Sequence, residues 1–257
     1  MSEPLAPPPA GEVIGVLPRQ EGACQRGTRA QIEFLSRVGH ELRSPLNTLL
    51  GFAQILELDR SEPLTPVQKE RVGQIKTAGW QLLQLINDML DLSHIEAGQL
   101  HLSMAPLALN RVIDETVARA GTRADLRQIH LERAADPEAW VWGDEARLKQ
   151  VLLSLLSSAF KNSRPDGQVE LCMQARDAEH IVVSIRDHGP GMSAAQLEEL
   201  HQWFNRSGPE ASSIQGRGIG LVVSHKLVQR MGGELEVRSE AGCGCEFRIV
   251  LQLAHTA

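Results

Sequence analysis

The sequence predicts an α+β chain in two parts: an antiparallel helical hairpin that pairs with a second copy into a four-helix bundle, then an α/β sandwich. Three observations predict it. Apolar residues recur at a spacing of about 3.5 in two stretches separated by a Pro-containing break; near residue 98 this pattern gives way to shorter helical and alternating segments; and two glycine-rich turns punctuate the second half. At 257 residues, with 42% hydrophobic and 23% charged side chains, the chain can build a sizeable core and is neither disordered nor fibrous.

Five prolines within the first 18 residues, followed by Gly and polar residues, predict a flexible linker over 1–27. A helix is expected from Thr28, with Leu35, Val38, Leu42, Pro45, Leu49, Phe52 and Leu56 as its apolar seam. Ser-Glu-Pro-Leu-Thr-Pro at 61–66 breaks it, and Thr65 followed by Pro66 starts a second helix whose seam is Ile75, Ala78, Leu82, Leu85, Met89 and Leu92. Two helices alone bury too little, so a second copy completes the bundle. The hairpin is assigned to 28–98, a linker to 99–107 and the second domain to 108–257.

In that second domain, helices are expected over 108–129, from the Asp144 cap through Phe160, over 193–204 and over 217–231. Short strands are expected at 130–133, 140–142, 169–175, 181–185, 234–238 and 246–252, and a polar loop at 205–216. This segregation gives a mixed sheet with helices on one face.

Composition narrows the function. With 26 Lys+Arg against 32 Asp+Glu the formal charge is -6, which argues against nucleic acid as a partner. No apolar run reaches the ~18 residues of a membrane span and no signal segment opens the chain, so a cytoplasmic protein, or the soluble end of something larger, is expected. Cys24, Cys172, Cys243 and Cys245 lack zinc-site spacing, which predicts reduced thiols. There is no Tyr, and aromatics are only 4%.

Three pieces carry chemistry. His40, in Gly-His-Glu-Leu-Arg-Ser-Pro-Leu at 39–46, falls opposite the helical seam and is presented to solvent. Alone it reads as an ordinary surface histidine; beside it, Glu41 can fix one ring nitrogen as N–H and leave the other as a nucleophile. The second piece is a pair of glycine turns. Asp187-His-Gly-Pro-Gly places an acid before Gly189 and Gly191, and Gly216-Arg-Gly-Ile-Gly-Leu places Gly216, Gly218, Gly220 and Leu221 at a helix start, where backbone N–H groups suit phosphate oxygens. Each alone is also what a plain turn looks like. The third is a polar stripe of Ser154, Ser158 and Lys161 at i, i+4 and i+7 on a Leu-rich helix.

In this order the pieces resemble the transmitter core of the sensor histidine kinases of two-component systems, from about Arg29 to Leu253. Residues 39–46 resemble the H box, and the helix begun by Asp144-x-x-Arg147-Leu148-x-Gln150 leads into what resembles the N box. Asp187 to Gly191 resembles the first G box, Trp203-Phe204-Asn-Arg the F box, Gly216 to Leu221 the second G box, and Gly242-Cys-Gly-Cys-Glu-Phe the closing strand entry. The resemblance implies a histidine-kinase/Hsp90-like ATP-binding sandwich that takes Mg-ATP. Asp187 would accept from the adenine amino group, while Lys161 and the second glycine turn would hold the phosphates. His40, oriented by Glu41, would attack the γ-phosphate. The phosphoryl group would pass to an aspartate of a response-regulator receiver domain, and the protein would act as a homodimer.

The sequence also departs from the family pattern. Serines 154 and 158 stand where the N box usually carries Asn, the later of which reaches Mg2+, so Ser158 is the candidate metal ligand here. Asn162 replaces an aromatic residue, Cys245 a Ser or Thr, Ser44 a Thr or Asn, and His201 a Phe. These departures motivate a rival reading: a catalytically weak or inactive, kinase-shaped dimeric scaffold that regulates another kinase or binds a response regulator. An unrelated chaperone- or gyrase-type ATPase is disfavoured, because the N-box helix carries no acid between Glu145 and Asn162.

Overall fold

The computed structural model describes residues 21–59, 61–125, 129–133, 137–164, 166–205 and 218–254. Within its helices, the side chains of 21–36, 40, 121–125 and 205 are not part of that description. Residues 1–20 of the expected 1–27 linker and most of the expected loop at 205–216 lie outside the described residues.

α1 runs Glu21–Leu58 and α2 runs Pro66–Glu96. α1 therefore starts seven residues before Thr28, and the expected linker is helical from residue 21. The stretch Glu-Gly-Ala-Cys-Gln-Arg after Pro18 contains no proline to stop the helix propagating backwards. α2 is started by a capping box: Gln68 N–H donates to Thr65 Oγ1 at 3.4 Å, and Thr65 N–H donates to Gln68 Oε1 at 2.9 Å.

The two helices pack antiparallel through small residues. A Cβ built on Gly39 would lie 2.6 Å from Leu90 Cδ1, and one on Gly79 would lie 2.8 Å from Leu50 Cδ2. Arg43 donates to Asn87 Oδ1 at 2.7 Å, and Lys76 pairs with Glu57. The face turned inward carries Gly39, Leu46, Leu50 and Ala53 against Val72 and Gly79. Much of both expected seams points out instead: Leu42, Leu49, Phe52 and Leu56 on α1, and Ile75, Leu82 and Leu85 on α2, are exposed, Phe52 to 63%. The seam period is the one expected, but its partner is not the other helix of the same hairpin.

The second part is an α/β sandwich. β1 (Ala105–Ala108) pairs antiparallel with β3 (Trp140–Gly143). The main sheet has the order β2-β4-β5-β7-β6, formed by β2 (His130–Arg133), β4 (Gln168–Ala175), β5 (His180–Asp187), β7 (Gly244–Gln252) and β6 (Glu234–Glu240). β2 is parallel to β4 and the other neighbours are antiparallel, which makes the sheet mixed. α3 (Leu109–Asp125), α4 (Glu145–Asn162) and α6 (Ile219–Arg230) cover one face, with α5 (Ala194–Asn205) beside α6.

Two expectations are corrected here. Residues 105–107 of the expected 99–107 linker form a strand together with Ala108, because Ala-Pro-Leu-Ala is too short and Pro-containing to alternate visibly and is specified by its partner β3. The helix expected over 108–129 is α3, ending at Asp125, and Ile129 is buried beyond it as the chain approaches β2.

The core lies between sheet and helices. Leu148, Leu152, Leu155 and Leu156 of α4 are fully buried against Val183, Ile185 and Ile249 of the sheet, each Leu worth roughly 1.5–3 kcal/mol. Leu92 and Ile95 of α2 join this same core, so the sandwich is docked on the end of the hairpin.

Candidate functional site

Asp187, the last residue of β5, is 1% exposed. Its Oδ1 accepts from Gly189 N–H at 2.9 Å, whereas its Oδ2 is buried with no hydrogen-bond partner. Burial pushes the carboxyl up from its usual range, opposed by backbone N–H groups of Gly189 and Cys245. A buried acceptor left open costs about 1–3 kcal/mol, so an amino group donating there is favoured. Cys245 pairs across from Asp187, and its thiol is pushed up to about 12 by burial and then by the Asp187 charge, which keeps it neutral.

The glycines after Asp187 have a structural reason of their own. Gly191 sits at φ +65°, and a Cβ there would strike the Glu240 carbonyl; one on Gly189 would strike the Asn162 carbonyl. The β5–α5 turn is thus pressed between the end of α4 and the β6–β7 turn, where Gly242 N–H donates to Pro190 O at 2.7 Å.

Ser154 meets the second glycine segment. Gly218 is the N-cap of α6 with no side-chain cap, and both Leu221 and Val222 N–H donate to its carbonyl. The N–H groups of Ile219 and Gly220 therefore have no intrahelical acceptor and suit an anion. A Cβ on Gly220 would lie 3.0 Å from Ser154 Oγ. Ser158, one turn further along α4, accepts from Asn162 Nδ2 at 3.5 Å; Lys161 is exposed in the last turn, and Leu221 is half-buried. Gly216 lies outside the described residues. α4 consequently links the two groups: from Ser154 to Asn162 it rises about 12 Å at 1.5 Å per residue, enough to separate a base from its phosphates.

His40 lies in α1, its side chain outside the description, and Glu41 beside it is exposed. The contacts of Gly39 with Leu90 and of Arg43 with Asn87 place His40 and Glu41 level with Asp88 of α2. Asp88 in turn faces Gly220, whose built Cβ would lie 3.2 Å from its Oδ2. The start of α6 and the phospho-acceptor candidate thus share one height along the hairpin.

Sequence reasoning missed the groups that hold this arrangement. Asp91 of α2 takes Arg147 Nη1 at 2.9 Å on one oxygen and Gln150 Nε2 at 2.7 Å on the other, and Arg230 donates to the Ile95 carbonyl at 2.9 Å. Arg43, Asn87, Asp91, Arg147 and Gln150 border a cleft of about 480 Å³ between hairpin and sandwich. One signal was available: Asp88 stands at i with Leu92 and Ile95 at i+4 and i+7, an acid in an otherwise buried stripe. Among the described residues, no cluster of three or more His, Cys, Asp or Glu side chains could hold a metal, and no helix is long and apolar enough to cross a membrane.

Comparison with known proteins matches residues 30–98 to the His Kinase A (phospho-acceptor) domain. Residues 143–255 match the histidine kinase-, DNA gyrase B- and HSP90-like ATPase family. Sensor histidine kinase GacS of Pseudomonas protegens is 37% identical over 235 residues, covering 89% of this chain and 25% of GacS. Signal transduction histidine-protein kinase BarA of Escherichia coli is 33% identical over 230 residues, covering 87% of this chain and 25% of BarA. The chain thus spans about a quarter of the length of these curated relatives. The crystal structure of full-length ShkA in complex with AMPPNP aligns at a TM-score of 0.65 and 31% identity, over 88% of this chain and 46% of that one.

Proposed function

The chain belongs to the sensor histidine kinases of two-component systems, whose transmitter core it carries, and from that premise we propose that it is an ATP-dependent autokinase. It phosphorylates His40 and passes the phosphoryl group to an aspartate of a response-regulator receiver domain. Residues 28–98 are read as the phospho-acceptor hairpin and 108–257 as the ATP-binding domain.

The observation that carries this reading is the open Oδ2 of Asp187, a buried acceptor with no internal partner, as an adenine amino group requires. The free N–H groups at the start of α6, with Lys161, Gly216, Gly218 and Leu221, are assigned to the phosphates. Ser154 offers a hydroxyl oxygen beside them, and Ser158 another one turn further along α4. Mg2+ draws most of its ligands from phosphates and water, so a single hydroxyl such as that of Ser158 suits it. When bound, the ion neutralises charge on the phosphates.

The chemistry left to the protein is mainly positioning. Glu41 holds one imidazole nitrogen of His40 as N–H; the other attacks the γ-phosphorus, the bond to the bridging oxygen breaks, and ADP leaves with the electron pair. In the second step the N–P bond breaks as a receiver carboxylate oxygen takes the phosphoryl group. The exposed apolar rows on α1 and α2, with Phe52 at 63% exposure, support a homodimer closed as a four-helix bundle. A cytoplasmic setting is the one that supplies both ATP and a receiver partner.

The scaffold reading draws on Ser154, Ser158, Asn162 and Cys245, but a pure scaffold gives no reason for Asp187 to stay buried and half-satisfied. The test is incubation with radiolabelled Mg-ATP. Wild type is expected to gain an acid-labile label that His40→Gln lacks; absence of label in wild type, with Mg-ATP or Mn-ATP, overturns the kinase reading.

A further inference from the structure

We propose that Asp88 couples nucleotide occupancy to docking of the ATPase domain on the hairpin: its carboxylate stands at the α6 N-terminus beside Ser154, so bound phosphates and the docked arrangement oppose one another. The proposal rests on the nucleotide reading of that site and concerns its regulation.

Asp88 is 5% exposed, in the stripe of α2 that also buries Leu92 and Ile95 in the sandwich core. It faces Gly220, whose N–H, with that of Ile219, opens α6 without an intrahelical acceptor. Docking therefore brings the chain's own anion to the spot that favours anions. A polyphosphate held there adds further negative charge within a few ångströms of the same carboxylate, in a partly water-excluded place where repulsion is poorly screened.

Among the described residues, Asp88 makes no ion pair. Among the described residues its hydrogen-bond donor is the Gln84 amide, at 2.7 Å. Three arginines of the described residues that lie along this boundary are engaged elsewhere: Arg43 of α1 with Asn87, Arg147 of α4 with Asp91, and Arg230 of α6 with the Ile95 carbonyl. Glu41 on α1 and Asp91 on α2 are acidic, and burial, then Asp91, pushes the Asp88 carboxyl up to about 6 against the Gln84 hydrogen bond. The Asp91 clamp and the Leu92 and Ile95 packing hold the domains together, while for Asp88 the cost of burial beside Asp91 outweighs what the helix start offers, which makes it a destabilising member of the same interface. An interface built in this way is releasable.

The experiment is hydrogen exchange of the full chain at pH 7.5, read on peptides covering 84–97, with and without Mg-AMPPNP, beside calorimetry of the same nucleotide. In wild type, nucleotide is expected to speed exchange by about threefold or more as docking is released. In Asp88→Asn, exchange without nucleotide is expected to be slower than wild type and unchanged when nucleotide binds. Gln84→Ala, which strips the donor from Asp88, is expected to raise exchange without nucleotide and serves if Asp88→Asn does not fold. If nucleotide binds wild type and leaves exchange unchanged, or if Asp88→Asn responds as wild type does, the coupling is wrong although the nucleotide reading stands. If calorimetry detects no binding to wild type, both fall together.

Discussion

Arg147 at the start of α4 and Asp91 near the end of α2 form a 2.9 Å ion pair, 26% and 15% exposed at their side chains, that ties the ATPase domain to the hairpin. Arg147 Nη1 also donates to Gln150 Oε1 at 2.9 Å, so the Asp91 carboxylate, the guanidinium and the amide form a closed triangle across the domain boundary. Asp91→Asn and Arg147→Gln are each expected to reduce interdomain cross-linking. The charge-swapped pair Asp91→Arg with Arg147→Asp recovers part of it, and the double-mutant cycle gives a coupling of about 1–2 kcal/mol. A cycle that closes at zero means the pair does not hold the domains.

Asp187→Asn keeps the oxygen that Gly189 N–H needs but can turn an N–H2 group toward the place now open at Oδ2. Nucleotide binding should weaken by tenfold or more, at least ~1.4 kcal/mol, with the melting temperature unchanged or raised because a buried charge is gone. Calorimetry and a thermal melt on one sample check both halves.

Gly191→Ala places a methyl group against the Glu240 carbonyl at a φ of +65°. Neither can yield cheaply, since the Cβ position is fixed by the backbone of residue 191 and the oxygen belongs to the backbone of Glu240. A loss of about 2–4 kcal/mol in unfolding free energy is expected, measured by urea denaturation. Gly51→Ala, where a Cβ meets nothing within 4 Å, is the helix-stabilising control.

His225 stacks on Phe204 with ring centroids 4.3 Å apart and planes 3° from parallel, and its Nδ1 is buried without a partner. Burial, then Lys226 and His201, lowers its pKa from the usual 6.5. Because the folded value is depressed, the neutral ring's contribution is complete above pH ~6.5 and is lost as pH falls through the folded value. The ATPase domain should melt progressively lower between pH 7 and 5, and His225→Phe, which keeps the stack, should flatten that dependence. Identical pH profiles would sink this account.

Phe52→Glu adds a charge on an exposed row of α1, outside the hairpin's own contact face. Sedimentation should show self-association weakened by a hundredfold or more, equivalent to ~2.7 kcal/mol, with helicity retained. Undiminished association would place the dimer contact elsewhere.

The parts of this protein that were legible in the sequence are those specified locally. Thr65-Pro66 announces its capping box, Asp144 its cap on α4, and the alternation around Val169 to Ala175 its strand. The β1 strand was not legible, because Ala-Pro-Leu-Ala acquires its conformation from pairing with β3. The same holds for which side of each seam faces inward, since a period shows that a stripe exists and not what covers it. At the candidate site, residue types pointed to Asp187, Ser154 and the glycines. Asp88 and Asp91 were not, because an acid in a helix is ordinary until a second domain buries it.

Asp144 joins the start of α4 to the segment that arrives from the hairpin. Its Oδ1 caps α4 through Arg147 N–H at 3.1 Å, and its Oδ2 takes Ser103 N–H at 2.8 Å, pinning the connecting segment at the base of the ATPase domain. With Ser103 pinned, only six residues, 97–102, remain between the end of α2 and the ATPase domain, a tether of roughly 20 Å at full stretch. The local concentration of each domain around the other is then on the order of millimolar or above. Contacts too weak to detect between separate molecules are populated under such a tether, and a change of about 1.4 kcal/mol moves their occupancy tenfold. The domain boundary is therefore a sensitive balance rather than a fixed seam.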